Sequence, residues 1–461
     1  MTKEIKATWA SKILFFLLCA TIIFTTLAYG AVHQPTLAVF YLIAVALVGL
    51  WAIDALVGGV LRFHKSYLQI PLTAAFLYAL FQIIPFGGAA SGAVENLPRT
   101  ISLEPFGTQV AALHFLALTI FLAALLTYID SAKRLRKIVT VITVFGFVYA
   151  FYAILQSVLS PQKIYGIYDV SYAKPFGSFV NRHNFAAYME MALCLPLGLM
   201  FAGAVEKDRR LLYATAIALM GVALILSGSR GGLIALLAAI FFLIILTTAA
   251  KNTKQLALKI GAAVLLLTTI IIGSALIGGE SSLTRLAEAD TTATTRTHIW
   301  GVTIRVIKNN LPFGAGFGAF GVAYTPYDSL NGLERVEQAH NDYLEVLATA
   351  GIVGLLIGGF FLWQFFRAGL KNSRAPDAFR RGVCVGALTG CFAILVHSLF
   401  DFVLHTTAIA MLFITLVSLV VASGSKFPDD RSENEPRENR KRRSANVTPF
   451  DKERKKRELE D

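Results

Sequence analysis

The sequence predicts an all-α, polytopic integral membrane protein with about 12 transmembrane helices and a large outer loop containing short helices. Three observations carry that reading. The 461 residues are 56% hydrophobic and only 15% charged, with a mean hydropathy of +0.62, whereas soluble domains run near a quarter charged. The apolar residues gather into segments of the length that crosses a bilayer, about 20 residues. The basic residues lie asymmetrically between those segments.

The apolar segments run over 12–31, 36–60, 68–86, 108–128, 138–159, 184–204, 211–227, 231–250, 256–278, 341–366, 382–399 and 403–423. The first lacks a small-residue cleavage site and is followed by further spans, so it reads as an anchor rather than a removed signal peptide. With the N-terminus placed in the cytoplasm and the spans alternating, 32 of the 42 Lys and Arg fall in inner segments. The formal charge of +13 is therefore mainly a topology signal, and nucleic acid is not an expected partner. Cys19, Cys194, Cys384 and Cys391 all lie in apolar spans without metal-ligand or redox spacing, and read as small buried hydrophobes.

Residues 1–423 are thus expected to form the transmembrane domain, with outer loops at 87–107, 160–183 and 279–340. The last is unusually long for a connection and is expected to be functional. Within it "RTHIWGVTIRVIKNN" can form an amphipathic helix with Ile299, Val302, Val306 and Ile307 as its stripe. That stripe suits either the membrane surface or packing on the other outer loops. "LPFGAGFGAFG" follows without the preceding strand that a dinucleotide loop needs. Its glycines instead permit a tight loop and close backbone approach to a ligand or a neighbouring helix. The tail 424–461 mixes 12 basic with 10 acidic residues and is expected to be disordered and cytoplasmic, near anionic headgroups. Its "NVT" at 446–448 is taken as a chance glycosylation match.

Charge inside this apolar framework is where chemistry is sought. "LILSGSRGGLIALL" sets Arg230 at the outer turn between the seventh and eighth spans, among Gly228, Gly231 and Gly232. Free backbone N–H groups, a helix N-terminus and a guanidinium together suit phosphate oxygens; an arginine snorkelling to headgroups is the plainer alternative. His340 opens the tenth span, where a neutral imidazole can take a proton from a sugar hydroxyl or simply make a local hydrogen bond. Asn341 and Tyr343 follow it, and Asp342 suits the positive end of the helix dipole. Arg296 is either a phosphate ligand or a solvated charge.

"SFVNRHNFAAYMEM" brings Asn181, His183, Asn184 and Glu190 to the start of the sixth span, with Asn184 as its expected cap. Glu190 would lie about 9 Å inside the span. It is either functional or paired with Arg182 or an arginine from another loop. Asn181, His183, Asn184, Glu190, Asn341 and Tyr343 are the candidate substrate-binding residues. Asp401 and His405, at the last outer turn, are weaker candidates. No metal site is expected: the outer segments lack a D-x-D pair, and "EAD" at 288–290 is the nearest substitute.

Together these residues resemble the O-antigen ligase and polymerase superfamily of bacterial membrane glycosyltransferases. The family pattern of His, then Asn, Ser or Gln, nine residues, Gly, two residues, Gly is matched by His340, Asn341, Gly351 and Gly354. "SGSRGG" matches the family's hairpin arginine, "RTHIW" its loop arginine, and "FGSFVNRHNFAAY" its segment leading into a mid-chain helix. The resemblance runs over roughly 140–410. The Thr-Trp that follows in many ligases is replaced by Leu355 and Leu356, which keeps ligation and polymerisation both open.

The resemblance implies a donor glycan on undecaprenyl diphosphate and an acceptor that is lipid A core or another glycan. It also implies cofactor-free, metal-independent transfer on the periplasmic side of the inner membrane. Arg230 and Arg296 would grip the diphosphate and His340 would activate or position the acceptor hydroxyl, making these three the expected catalytic residues. A ligase onto lipid A core is the leading reading and a polymerase its nearest rival. A twelve-span transporter, which would carry its polar groups near mid-membrane, ranks well below both.

Overall fold

The computed structural model describes residues 8–86, 88–91, 94–170, 173–248, a few positions between 257 and 272, 291–329, 335–425 and 427. Most of the expected ninth span (256–278), the "EAD" stretch and most of the charged tail lie outside the described residues. In chain order the helices are α1 (Trp9–Leu27), α2 (Gln34–Gly58), α3 (Ile70–Gln82), α4 (Pro105–Tyr128), α5 (Ala132–Leu159), α6 (Arg182–Phe201) and α7 (Arg210–Leu226). They continue with α8 (Arg230–Thr247), α9 (Thr291–Asn310), α10 (Phe320–Tyr324), α11 (Asp342–Asn372), α12 (Ala378–His397) and α13 (Thr407–Ser423). Among the described residues, sheet is confined to two small antiparallel hairpins, β1 (Gly88–Ser91) with β2 (Val94–Pro98) and β3 (Lys163–Ile164) with β4 (Tyr168–Asp169).

Nine helices among the described residues are long and apolar enough to cross a membrane. The expected third and last spans are shorter than their apolar runs. α13 has 17 residues, and α3 has 13, about 20 Å at 1.5 Å per residue. α3 ends at Gln82, whose fully buried side-chain amide ties it to the 313–317 loop and to α11. It donates to the carbonyls of Phe313 and Thr349 (both 3.0 Å) and accepts from the Phe317 N–H (3.0 Å).

The bundle is built around α6, in which 89% of the apolar window is buried. Its closest neighbour is α12, and the reason is steric. Gly382, Gly386 and Gly390 recur every fourth residue on α12, and a Cβ on Gly386 would stand 2.7 Å from the Cys194 carbonyl oxygen of α6. A Cβ on Gly198 of α6 would meet Gly386 Cα at 2.3 Å. Small residues at helical spacing let two backbones approach closely where lipid supplies no hydrophobic drive. All four cysteines are free and buried.

The end of the bundle away from the polar loops is tied by one buried carboxylate. Asp54, 1% exposed, accepts from the Tyr128 hydroxyl (2.7 Å), from Arg62 Nη2 (3.3 Å) and from the Thr8 hydroxyl. These bonds join α2 to α4 and to the start of α1. A carboxyl group buried this way is tolerated because its oxygens are occupied by hydrogen-bond donors.

The amphipathic stripe of α9 settles one open alternative. Ile299, Val302, Val306 and Ile307 are buried against Ala315, Phe320, Ala323, Tyr324, Ala339 and Ala348, so the stripe packs on protein. The glycine-rich segment that follows approaches a neighbouring helix. Ala315 N–H donates to Ala348 O and Gly316 N–H to Thr349 O (both 2.9 Å), and Ile352 N–H donates to Pro312 O (2.9 Å). These bonds serve backbone groups freed where α11 breaks at Gly351 (φ 60°, ψ −149°).

Candidate active site

Five segments meet at one end of the bundle: the start of α6, the 227–229 turn before α8, α9, residues 339–342 before α11, and residues 398–406 between α12 and α13. At their meeting point is the Asp401 side chain, 4% exposed. Its Oδ1 lies 3.1 Å from His340 Nδ1 and accepts from the Phe402 N–H at 3.0 Å. Its Oδ2 accepts from Arg296 Nη2 at 3.2 Å, and His183 Nδ1 stands 3.9 Å away. Arg296 is held a second time, by Nη1 donating to the Phe400 carbonyl at 3.0 Å. Burial alone would raise the Asp401 pKa. The His340 hydrogen bond and the charges of His183, Arg296 and His340 outweigh it and hold the carboxyl well below the usual carboxylate range.

An ionised carboxylate can only accept. His340 must therefore donate from Nδ1, so in the tautomer that Asp401 selects Nε2 is the nitrogen with the free lone pair. The backbone of His340 is left-handed (φ 50°), a conformation uncommon outside glycine, and its ring meets Phe402 edge-on at 4.8 Å. The strain is sustained by its neighbours. Asn341 caps α11 through the N–H groups of Tyr343 and Leu344 (both 3.0 Å), and its amide donates to Leu399 O (3.0 Å). Tyr343 donates its hydroxyl to Leu395 O at 2.7 Å.

A second cluster clamps the same two segments. His405 Nδ1 lies 3.1 Å from Asp342 Oδ1 and its Nε2 3.0 Å from Glu345 Oε1. With a buried carboxylate on each ring nitrogen the imidazole is favoured as a cation. Burial opposes this, but Glu345 and Asp342 raise its pKa well above the ordinary 6.5. Because folding raises the value, the contribution to stability is complete below about pH 6.5 and is lost as pH rises through the raised value. His405→Gln should thus destabilise most near pH 6 and progressively less in alkali. Thermal unfolding of both chains in detergent across pH checks this, and a stability gap independent of pH would remove the ionic clamp.

Arg230 is the first residue of α8, directly after the Ser229 cap. Ser229 Oγ accepts from the Gly232 N–H (3.2 Å) and lies 3.0 Å from His183 Nδ1, so this helix N-terminus adjoins the Asp401 group. The glycines on either side of Arg230 are needed. Gly228 has φ 68°, and a Cβ on Gly231 would come within 2.9 Å of the His397 ring.

All three expected catalytic residues are thus at one end of the molecule. His340 and Arg296 share Asp401, and Arg230 lies one residue from the Ser229–His183 contact. Of the expected binding residues, His183 lines this group. Asn181 proves to be the cap of α6, accepting from the His183 N–H at 2.9 Å, and Asn184, expected in that role, is buried one turn on. Asn341 and Tyr343 are engaged in the bonds above. Glu190 is fully buried beneath the site, with Oε2 3.1 Å from His397 Nδ1. Its partner is neither Arg182 nor a loop arginine. The contact joins α6 to the end of α12 beneath the vestibule. Among the described residues no group of three or more His, Cys, Asp or Glu side chains could hold a metal ion.

A bundle of membrane-spanning helices with a basic and imidazole-bearing cluster at one end defines a polytopic membrane protein with an enzyme-like site. Residues 215–358 match the family described as O-Antigen ligase. This supports the O-antigen ligase superfamily and, with it, a glycosyltransferase family of the ligase or polymerase type. The match is narrower than the resemblance read from the motifs, and it includes Arg230, Arg296, His340, Asn341, Gly351 and Gly354. No curated protein matches the chain.

Proposed function

We propose that the chain is an O-antigen ligase, transferring a glycan from undecaprenyl diphosphate to lipid A core at the periplasmic face of the inner membrane. The observation that carries the reading is the shared carboxylate: His340 on Oδ1 and Arg296 on Oδ2 of Asp401. One ionised group thereby sets both the tautomer of a base and the position of a cation.

In this reading the acceptor hydroxyl oxygen attacks the anomeric carbon of the donor sugar, and His340 Nε2 receives the hydroxyl proton. The bond between the anomeric carbon and the diphosphate oxygen breaks, and the electron pair leaves with the diphosphate. Arg296, Arg230 and the N-terminus of α8 are placed at one mouth, where fixed positive groups stabilise that developing charge. Cytoplasmic termini follow from the positive charge of the inner segments. No step requires a metal, so transfer is expected to proceed in the presence of a chelator.

The test is purified full-length protein with a lipid-diphosphate glycan and a core acceptor, scored for joined product. His340→Ala, Arg296→Ala and Arg230→Ala should each abolish product while the chain remains in the membrane. Full activity of Arg230→Ala would end the diphosphate assignment. Cells lacking the chain separate ligation from polymerisation. Loss of a ligase leaves lipid-linked polymer to accumulate, whereas loss of a polymerase leaves single repeats on the core. Movement of labelled solute by reconstituted protein that forms no joined product would favour transport instead.

A further inference from the structure

Beside the Asp401 group, on the same end of the bundle, four aromatic rings form a corner that the transfer chemistry does not use. Tyr29 and His33 come from the connection between α1 and α2, and Tyr165 and Tyr168 from the β3–β4 hairpin. Ring centroids are 5.5 Å apart for Tyr29 and His33, 5.8 Å for Tyr29 and Tyr165, 5.1 Å for Tyr29 and Tyr168, and 5.6 Å for His33 and Tyr168. Three of these pairs pack edge to face, the arrangement that quadrupoles favour, and Tyr29 with Tyr168 is tilted at 58°. They therefore hold one another in place. Tyr165 is 38% exposed although one side of its ring stacks on Tyr152 (centroids 5.8 Å apart) and its hydroxyl is pinned to the Leu27 carbonyl at the end of α1, so the ring surface left open has little freedom to lose.

Backbone strain marks the same corner. Among the described residues four non-glycine positions have positive φ: Tyr29 (59°), Ala31 (52°), Tyr165 (58°) and His340 (50°). One is the proposed base, and the other three are in or beside this ring cluster. Strained backbone persists only where the surroundings over-determine it, and it concentrates at functional sites. Here the surroundings are the site itself. Thr407 Oγ1 donates to Ala31 O at 2.9 Å, and the Gly30 backbone packs on Phe179 and Thr406. The corner is thus fixed to both segments that lead to the centre, the one ahead of His183 and the one following Asp401.

A preorganised cluster of tyrosine and imidazole rings, with Tyr165 exposed and Tyr29, His33 and Tyr168 half-buried behind it, is chemically suited to the apolar C–H face of a sugar ring. We propose that Tyr29, His33, Tyr165 and Tyr168 form a saccharide platform that stacks a pyranose ring of a glycan reaching the active site. This rests on the glycan-transfer reading for its ligand. The sugar belongs either to the donor glycan or to the acceptor, and both present the same C–H face.

The test scores binding without transfer, using the full-length chain in detergent micelles and two soluble probes. One is the glycan released by mild acid from its lipid diphosphate; the other is core oligosaccharide released from lipid A. Saturation transferred from protein aromatic protons should reach the sugar C–H protons of at least one probe. Which probe responds identifies donor or acceptor. Tyr165→Ala and Tyr168→Ala should each weaken that probe's affinity about tenfold, the scale of one lost ring contact. Tyr165→Phe, which keeps the ring, should bind far closer to wild type, and Tyr168→Leu serves if an alanine variant does not fold.

Absence of saturation transfer from both probes, or unchanged affinity in both alanine variants, overturns the platform. So does intact glycan binding with impaired insertion into phospholipid vesicles, which would make the rings interfacial anchors. Glycan binding that depends on these rings in a chain forming no joined product would overturn the transfer reading and leave the platform standing.

Discussion

Asp401→Asn is expected to lower glycan transfer by about 10²–10⁴-fold, the range that a positioned general base contributes, with the chain still folded and in the membrane. The substitution keeps the shape of the side chain and removes its charge. An amide presents one acceptor and one NH₂ donor, so it can receive from His340 Nδ1 or from Arg296 Nη2 but not from both as the carboxylate does at 3.1 and 3.2 Å. If the NH₂ faces His340, the ring is driven to the opposite tautomer and Nε2 becomes a donor, unable to take the acceptor's proton. If it faces Arg296, the guanidinium loses its counter-charge and its place.

Single-turnover transfer with bound donor isolates the chemical step, where the loss should appear. A donor affinity that falls with the rate unchanged would assign Asp401 to binding alone, and near-wild-type turnover would remove it from the mechanism. Asp401→Ala should be at least as inactive. It should also be less stable, because it strips the partner from a half-buried guanidinium.

The residue on which most of the site turns was the least legible in the sequence. The helices could be read because apolar length is local information, and Arg230 could be read because a charge among glycines at a hairpin tip violates the composition around it. His340 and Arg296 belong to recognisable short patterns. Asp401 belongs to none: "SLFDFVLHTT" offers one carboxylate at a turn. What distinguishes it is the convergence of His340 from 61 residues away and Arg296 from 105. Glu190 was conspicuous as an intramembrane acid, but its partner His397 is 207 residues distant at the far end of α12. The small-residue stripe of α12 was written plainly at 382, 386 and 390, yet nothing local says that it faces α6. Three-dimensional pairing of single polar residues leaves no periodicity to read.

Gly351 is the position where a single methyl group should do most damage to the fold. Its φ of 60° with ψ −149° falls in a region that is essentially glycine's alone. A Cβ there would lie 2.1 Å from Pro312 O and 2.7 Å from Gly314 N, both backbone atoms with no rotamer to give. Relief requires moving the 312–316 loop off α11. That breaks the bonds of Ile352, Ala315 and Gly316 and disturbs the Gln82 amide that binds Phe313 O and Thr349 O.

Strain of roughly 1–3 kcal/mol and buried backbone groups left unpaired at about 1–3 kcal/mol each point the same way. Gly351→Ala should therefore destabilise by about 3 kcal/mol or more. Gly359→Ala, on the same helix with nothing within 4 Å of its added Cβ, is the matched control and should be neutral. Thermal midpoints of the two variants in detergent decide it: equal midpoints would mean that the helix does not break there.

The effect should reach the chemistry as well. The loop carries Ala315 and leads into α10, whose Phe320 packs with Ala315 in one cluster with Val302 and Val306 of α9, and α9 carries Arg296. Gly351→Ala should thus depress transfer beyond what the loss of folded protein explains. In a residual folded fraction, that deficit should appear as weakened donor binding.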